Sequence, residues 1–454
     1  MTAAIYGAAI AGLAIASSRM DPGSATSTLR GWLTAILVIQ TANMLIFGTS
    51  RIATAVRADA GGAMIESHRL MPTSSVSAVL GYLVGSSAHA LAVTVVNFIV
   101  GALIAASIGV TLDRWIIANG LLFFFGVCMW CVVAAGAFVT KGAMGVIVFL
   151  AVSMVVGNGA TYLMVPTVAV LMRSVFSGAI FTLDGHVDTL HAVALAGQGA
   201  IAAVFFVACC RRYERSDHPA MGVGLSFILV GVVVVLAIIG MSYWEKLAPR
   251  GWRREVDISM QFVASAGLTL LLSLIPLANA SRAWENRNVD RPRTTHPFAV
   301  ALAVAAFMTM LVLPVSADVV GSLVLAVATG VTALLFLITT SYVLRWVYLA
   351  VPRGMVIGSI WTLLAVCGPV VADFFLSMLS DPSRDFQMGA ISAISPLATL
   401  SLLSSDSNVL TAEQRQQAVA VGLIGQAILG LLAWALYHWS ARRSRAVNAS
   451  LALA

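Results

Sequence analysis

Charge is what this chain has least of. Asp, Glu, Lys and Arg together make up 10% of its 454 residues, against 60% hydrophobic residues and a mean hydropathy of +0.95. So few charges cannot solvate that much apolar surface in water, which excludes a soluble globular protein and makes lipid the solvent. Lysine is almost missing: Lys141 and Lys246 are the only two, and neither lies in a phosphate-binding loop of the form Gly-x-x-x-x-Gly-Lys-Ser/Thr. The chain is therefore expected not to hydrolyse ATP itself, and to be no enzyme. Its net charge of +7 is arginine. The arginines flank apolar runs, a pattern of membrane topology that argues against nucleic acid as a partner. Cys128, Cys131, Cys209, Cys210 and Cys367 sit in or at the ends of apolar runs and read as small hydrophobes. The spacing Cys128-Met-Trp-Cys131 is that of redox pairs, but no basic setting is present to lower a thiol pKa. Seven scattered histidines argue against a haem or copper centre, and no Ser, His and acid cluster suggests a catalytic residue.

What the chain has in abundance is long apolar runs. A helix needs about 20 apolar residues to cross the hydrocarbon core. That length gives candidate spans near 2–17, 31–50, 78–109, 115–139, 143–164 and 189–210. A second set follows near 221–243, 257–280, 298–316, 318–344, 354–379 and 417–440. The expected fold is an all-α polytopic membrane protein of about twelve transmembrane helices. The hydrophilic stretch Arg211–Pro219 divides it into modules 1–216 and 217–454. No basic residue precedes the first run, so it does not read as a signal peptide. With the N-terminus inside, sixteen basic residues fall on inner segments, Arg345 among them, and ten on outer ones. Both termini are then cytoplasmic, and the expected location is the cell's inner (plasma) membrane.

One polar island carries the most information. Arg51–Ser75 lies between two apolar runs, and a degenerate copy, Ser281–Pro297, returns about 230 residues later. Arg51 matches Arg282, Pro72 matches Pro297, Pro166 matches Pro396, and Gly197-Gln198 matches Gly425-Gln426, all at nearly the same shift. Ordered landmarks at one shift indicate a duplicated six-helix module, with the two repeats parallel rather than inverted. Each half also has an outer segment, Val165–Asp188 or Ala390–Gln416, that begins apolar and ends polar. Each is either a re-entrant hairpin packed against protein or an ordinary outer loop.

This order resembles the type 2 permease family of ATP-binding-cassette transporters. Asp59, Gly61-Gly62, Glu66, Leu70, Pro72, Ser74 and Gly81 match the run that forms that family's coupling loop. The second loop keeps Glu285 and Pro297 but lacks the glycines and the second acidic residue. The resemblance implies a membrane subunit coupled to a separate cytosolic ATPase, which would carry the ATP and Mg; this chain itself would hold no cofactor. It also implies export of an amphiphilic, lipid-like or drug-like small molecule. The residues alone suggest a short polar helix carrying Arg57, Asp59, Glu66 and Arg69 and ended by Pro72, able to pair with charges on a partner. In the second loop, Glu285, Arg287, Arg293 and Pro297 are the corresponding candidates. A solvated cytoplasmic loop is the plain alternative.

Polar residues inside spans are costly and so are candidates for a substrate path: His89, Asn97, Asn158, Gln198 and Gln426. Each could instead hydrogen-bond to a neighbouring helix. Asp373 and His438 read as interfacial residues, and no metal site is expected. An ion-coupled secondary transporter with twelve helices, or a non-transporting assembly protein, also fits the span count.

Overall fold

A computed structural model describes residues 2–20, 25–62, 64–68, 70, 73–139, 170–171, 175, 178–181, 189–215, 220–243, 254–285, 296–312, 319–350, 361, 364–365, 369–370, 372, 392–404 and 412–453. Among these residues every regular element is helical, and eight helices are long and apolar enough to cross a membrane. The chain divides into two compact units, residues 1–220 with 246–249, and residues 221–245 with 250–454. The division falls directly after the hydrophilic stretch that ends at Pro219.

The first unit comprises α1 (Thr2–Met20), α2 (Ala25–Gly61), α3 (Met64–His68), α4 (Ser75–Gly85), α5 (Ala88–Ser107), α6 (Leu112–Val139) and α7 (Thr189–Glu214). At 1.5 Å per residue the 37 residues of α2 run about 55 Å, well beyond a hydrocarbon core of about 30 Å. One π turn, Asn43–Gly48, interrupts it beside Trp130 of α6. The wider turn frees the Met44 carbonyl, which accepts the Trp130 indole N–H at 2.9 Å. A Cβ on Gly48 would stand 2.5 Å from that indole nitrogen, so only glycine lets the ring in. Gly48→Ala is expected to destabilise the unit by about 1–3 kcal/mol through overpacking. A lowered thermal midpoint of the purified protein in detergent would show it; an unchanged midpoint would contradict the packing.

The second unit comprises α8 (Val223–Ser242), α9 (Arg254–Glu285), α10 (Pro297–Met310), α11 (Val319–Ala350), α12 (Pro396–Ser404) and α13 (Ala412–Leu453). Its core is a stack of Phe262, Ala266 and Leu270 on α9, Val300 and Val304 on α10, Phe336 and Leu337 on α11, and Leu400 on α12. The spacing of four along α9 puts its apolar side chains on one face. Pro297 opens α10 at the position where a missing N–H costs nothing, and His296 Nδ1 caps it by accepting from the Phe298 N–H at 3.1 Å.

Many large apolar side chains point away from both cores, among them Leu103 on α5 and Ile424, Leu431 and Leu432 on α13. On helices of this length that is a lipid-facing surface.

Six packed pairs recur in the same order in the two units, whereas α4 on α7, and α12 on α9, α11 and α13, each occur in one unit alone among the described residues. In the first, α1 packs on α2 and α5, α2 on α5 and α6, and α6 on α5 and α7. In the second, α8 packs on α9 and α10, α9 on α10 and α11, and α11 on α10 and α13.

Several expected boundaries shift. The third span does not run unbroken over 78–109: it breaks at Ser86 and Ser87, whose hydroxyls bond back to the carbonyls of Tyr82 and Leu83. Serines that bond into their own helix compete with its ladder and bend it. Among the described residues the span expected at 298–316 is a helix over Pro297–Met310, and that expected at 2–17 lies within α1, Thr2–Met20. Arg345, assigned from sequence to an inner loop, lies inside α11 and is buried. The span expected at 143–164 lies outside the described residues, as does most of that expected at 354–379.

Candidate functional site

The polar island of the first unit is mostly helix. Ile52, Ala53 and Val56 form a buried stripe that continues α2 through Arg51 to Gly61. Alanine-rich sequence favours that continuation, and Gly61-Gly62 ends it. Arg57 and Asp59 therefore sit on the long helix, not on the short one expected to hold all four charges. The short helix is α3 alone, and it carries Glu66. Ile65 is buried and anchors α3, whereas Met64, Glu66 and Leu70 are exposed, Leu70 to 89%. Ser74 then caps α4 by accepting the Ser77 N–H at 3.2 Å. Arg69 and Pro72 lie outside the described residues.

Two hydroxyl–carboxylate hydrogen bonds tie the base of this loop to its surroundings. Tyr82 on α4 donates to Asp59 Oδ2 on α2 at 2.6 Å. Ser75, at the start of α4, donates to Glu214 Oε1 at the end of α7, also at 2.6 Å. The rings reinforce the ties: Tyr82 meets Phe138 of α6 edge-on at 5.9 Å, and Phe138 meets Tyr213 of α7 at 6.5 Å. The Arg212 Nε–H reaches the Phe138 carbonyl at 3.4 Å. These short, directional contacts join α4 to α2, α6 and α7. Arg57 is half-buried, and its Nε has no hydrogen-bond partner among the described residues.

The second polar loop is described only at its ends. Glu285 is the last residue of α9, and Pro297, buried, is the first of α10. Arg287 and Arg293 lie outside the described residues.

The intramembrane candidates separate clearly. His89 is exposed on α5, directed away from the core of the unit. Asn97 is buried on α5, with its amide nitrogen lacking a hydrogen-bond partner among the described residues. Gln198 on α7 and Gln426 on α13, the matching pair, are both buried. Gln426 donates through Nε2 to Thr399 Oγ1 at 3.3 Å. Asn158 and Asp373 lie outside the described residues. His438 is exposed beside Trp434, at 4.8 Å between rings.

The second outer segment folds as a 3₁₀ turn, Ser392–Ile394, followed by the nine residues of α12. At about 14 Å that helix is too short to span. It is buried at Ser392, Ala393, Ser395, Thr399 and Leu400 and packs on α9, α11 and α13, so its irregular backbone is covered by protein. Its seat on α13 is Gly422, where a Cβ would stand 2.2 Å from the Ala393 carbonyl oxygen. Of the first outer segment, Ala179–Phe181 is a 3₁₀ turn whose Phe181 ring lies 5.9 Å from Trp115.

Two features escaped the sequence reading. Gln261, Ser265, Thr269 and Ser273 form a fully buried polar stripe on α9 at a spacing of four, a signal available in the sequence but diluted by its apolar neighbours. Arg345 donates to the Tyr437 hydroxyl and lies 4.0 Å above that ring, a cation–π contact that no sequence spacing reveals. Cys128, Cys131, Cys209 and Cys210 are buried and unbridged, and Cys209 Sγ approaches the Cys131 carbonyl at 3.6 Å. Among the described residues no group of three or more His, Cys, Asp or Glu could hold a metal ion.

Compared with protein-family models, curated proteins and solved structures, the chain matches none.

Proposed function

We propose that the chain is the membrane-spanning permease subunit of an ATP-driven transporter, built from two parallel six-helix modules, twelve helices in all. The reading rests above all on α3, a short helix with an exposed Met64–Glu66–Leu70 surface, together with the bonds that tie the following helix, α4, to α2 and α7. A solvated loop has no need of such ties. A docking element that must transmit displacement does, because coupling needs packed, directional contacts. The recurring order of packed pairs and the two buried, matching glutamines support the duplication.

In this reading a separate cytosolic ATPase docks on α3, both termini face the cytosol, and ATP and Mg belong to that partner. The lipid-facing helices and the neutral character of buried Asn97, Gln198 and Gln426 favour an amphiphilic, lipid-like or drug-like substrate. A small charged solute would call for paired charges along the path. The same point disfavours an ion-coupled carrier, since His89, its best relay candidate, is directed away from the core.

Tyr82→Phe separates docking from transmission. The variant is expected to bind the ATPase normally and to transport about tenfold more slowly, since one hydrogen bond to a charged group is worth about 1.5–3 kcal/mol and 1.4 kcal/mol is a factor of ten. Wild-type transport rates in proteoliposomes would overturn the assigned role of the Asp59 tie.

A further inference from the structure

The second unit holds a small cleft lined in part by Gln426. Among the described residues it lies between α11, the Ser392–Ile394 turn with α12, and α13, and Trp361 closes part of its wall. The volume open to the centres of water molecules is about 20 Å³, enough for one, since a buried water needs about 10–15 Å³. Its lining contains no charged side chain, so it is not built for an ion.

Two polar atoms in that lining are buried without a hydrogen-bond partner among the described residues: the indole Nε1–H of Trp361 and the amide Oε1 of Gln426. Gln426 itself is 4% exposed. The orientation of its amide follows from the bonds around it. Thr399 gives its hydroxyl proton to the backbone carbonyls of Ala393 and Ser395, so it can only accept from Gln426, which places Nε2 on Thr399 and Oε1 elsewhere. The cleft therefore offers one unused donor and one unused acceptor. Leaving both unmet is costly, and more so in a lipid setting where bulk water cannot reach them.

We propose that this cleft is a binding site for a single neutral hydroxyl group, which accepts from Trp361 Nε1–H and donates to Gln426 Oε1. A carbonyl would satisfy only the indole and an ammonium only the amide; a hydroxyl satisfies both without bringing charge into the cleft. Its source is either a resident water or the hydroxyl of an amphiphile whose tail lies outside the cleft. The proposal does not rest on an ATPase partner and would hold for any transport mechanism.

The test is a double-mutant cycle on the full chain in lipid nanodiscs, with Trp361→Phe, Gln426→Leu and both together, read by thermal midpoint. A shared hydroxyl makes the two losses strongly non-additive, since removing either partner already breaks the bridge. Additive losses would overturn the proposal. A cryo-EM map of the wild-type protein, which needs no variant to fold, should show density within hydrogen-bonding distance of both atoms; an empty cleft would overturn it as well. Adding 1-decanol distinguishes the sources. A raised midpoint in wild type but not in Gln426→Leu assigns the ligand's hydroxyl. No shift, with coupling and density retained, assigns water.

Discussion

Gly422→Ala is expected to give the largest loss of stability of the alanine substitutions at Gly224, Gly231, Gly267, Gly330, Gly422, Gly425 and Gly430 of the second unit. The new Cβ would stand 2.2 Å from the Ala393 carbonyl oxygen and 2.8 Å from its carbon, and both are backbone atoms that cannot rotate away. The Ser392–Ile394 turn would have to lift from α13. That would break the Gln426–Thr399 hydrogen bond and expose the buried Ser392 and Ser395. Overpacking of this kind costs about 3 kcal/mol, the upper part of its usual range. Gly231 on α8 is the matched control, because a Cβ there meets nothing within 4 Å. In a helix interior Gly→Ala is favourable by about 0.5–1 kcal/mol. Thermal unfolding should therefore show Gly422→Ala well below wild type and Gly231→Ala at or above it. Equal midpoints would mean that the short helix α12 is not seated as described.

The second large effect concerns association. Glu66→Lys combined with Leu70→Asp is expected to weaken ATPase binding at least thirtyfold, in line with the roughly 2 kcal/mol or more that marks a dominant interface residue. Leu70 is 89% exposed and Glu66 is exposed one helical turn before it, so the pair changes a partner surface and leaves the core intact. Glu285→Lys should do less. Glu285 is the last residue of the long helix α9, whereas Glu66 is exposed on a separate short helix, α3. Affinity of the solubilised variants for the purified ATPase measures this directly. Equal or reversed effects of the two charge changes would count against the asymmetry of the loops.

Composition and run length were enough to read a helical membrane protein, because lipid leaves few alternatives to the helix once charge is this scarce. Positions within helices were harder. Arg57 and Asp59 were read onto one short helix with Glu66 and Arg69, yet the alanines and the buried Ile52, Ala53 and Val56 make their stretch a continuation of the long helix α2. Polarity marks exit from the membrane, not the end of a helix. Arg345 was misplaced for the same reason: charge was read as exposure, but the guanidinium lies over the Tyr437 ring inside the unit. Asp59 and Glu66 were singled out as equivalent charges. The structure separates them into a tie that faces inward to Tyr82 and an exposed residue on α3. Nothing in the sequence pairs Ser75 with Glu214, 139 residues apart, because that contact is made by the packing of α4 on α7. The broken third span shows the limit of hydropathy, since Ser86 and Ser87 are too few to interrupt an apolar run yet bend the helix.

The most direct test of the account places a photo-crosslinking residue at Leu70 in the full chain, in its native membrane, and pairs it with transport measured in proteoliposomes. The account predicts an adduct with an ATPase that carries a phosphate-binding loop, formed at Leu70 and lost with Glu66→Lys, and transport that requires ATP hydrolysis. Transport that follows a proton or sodium gradient, with no ATPase adduct at Leu70, would contradict it.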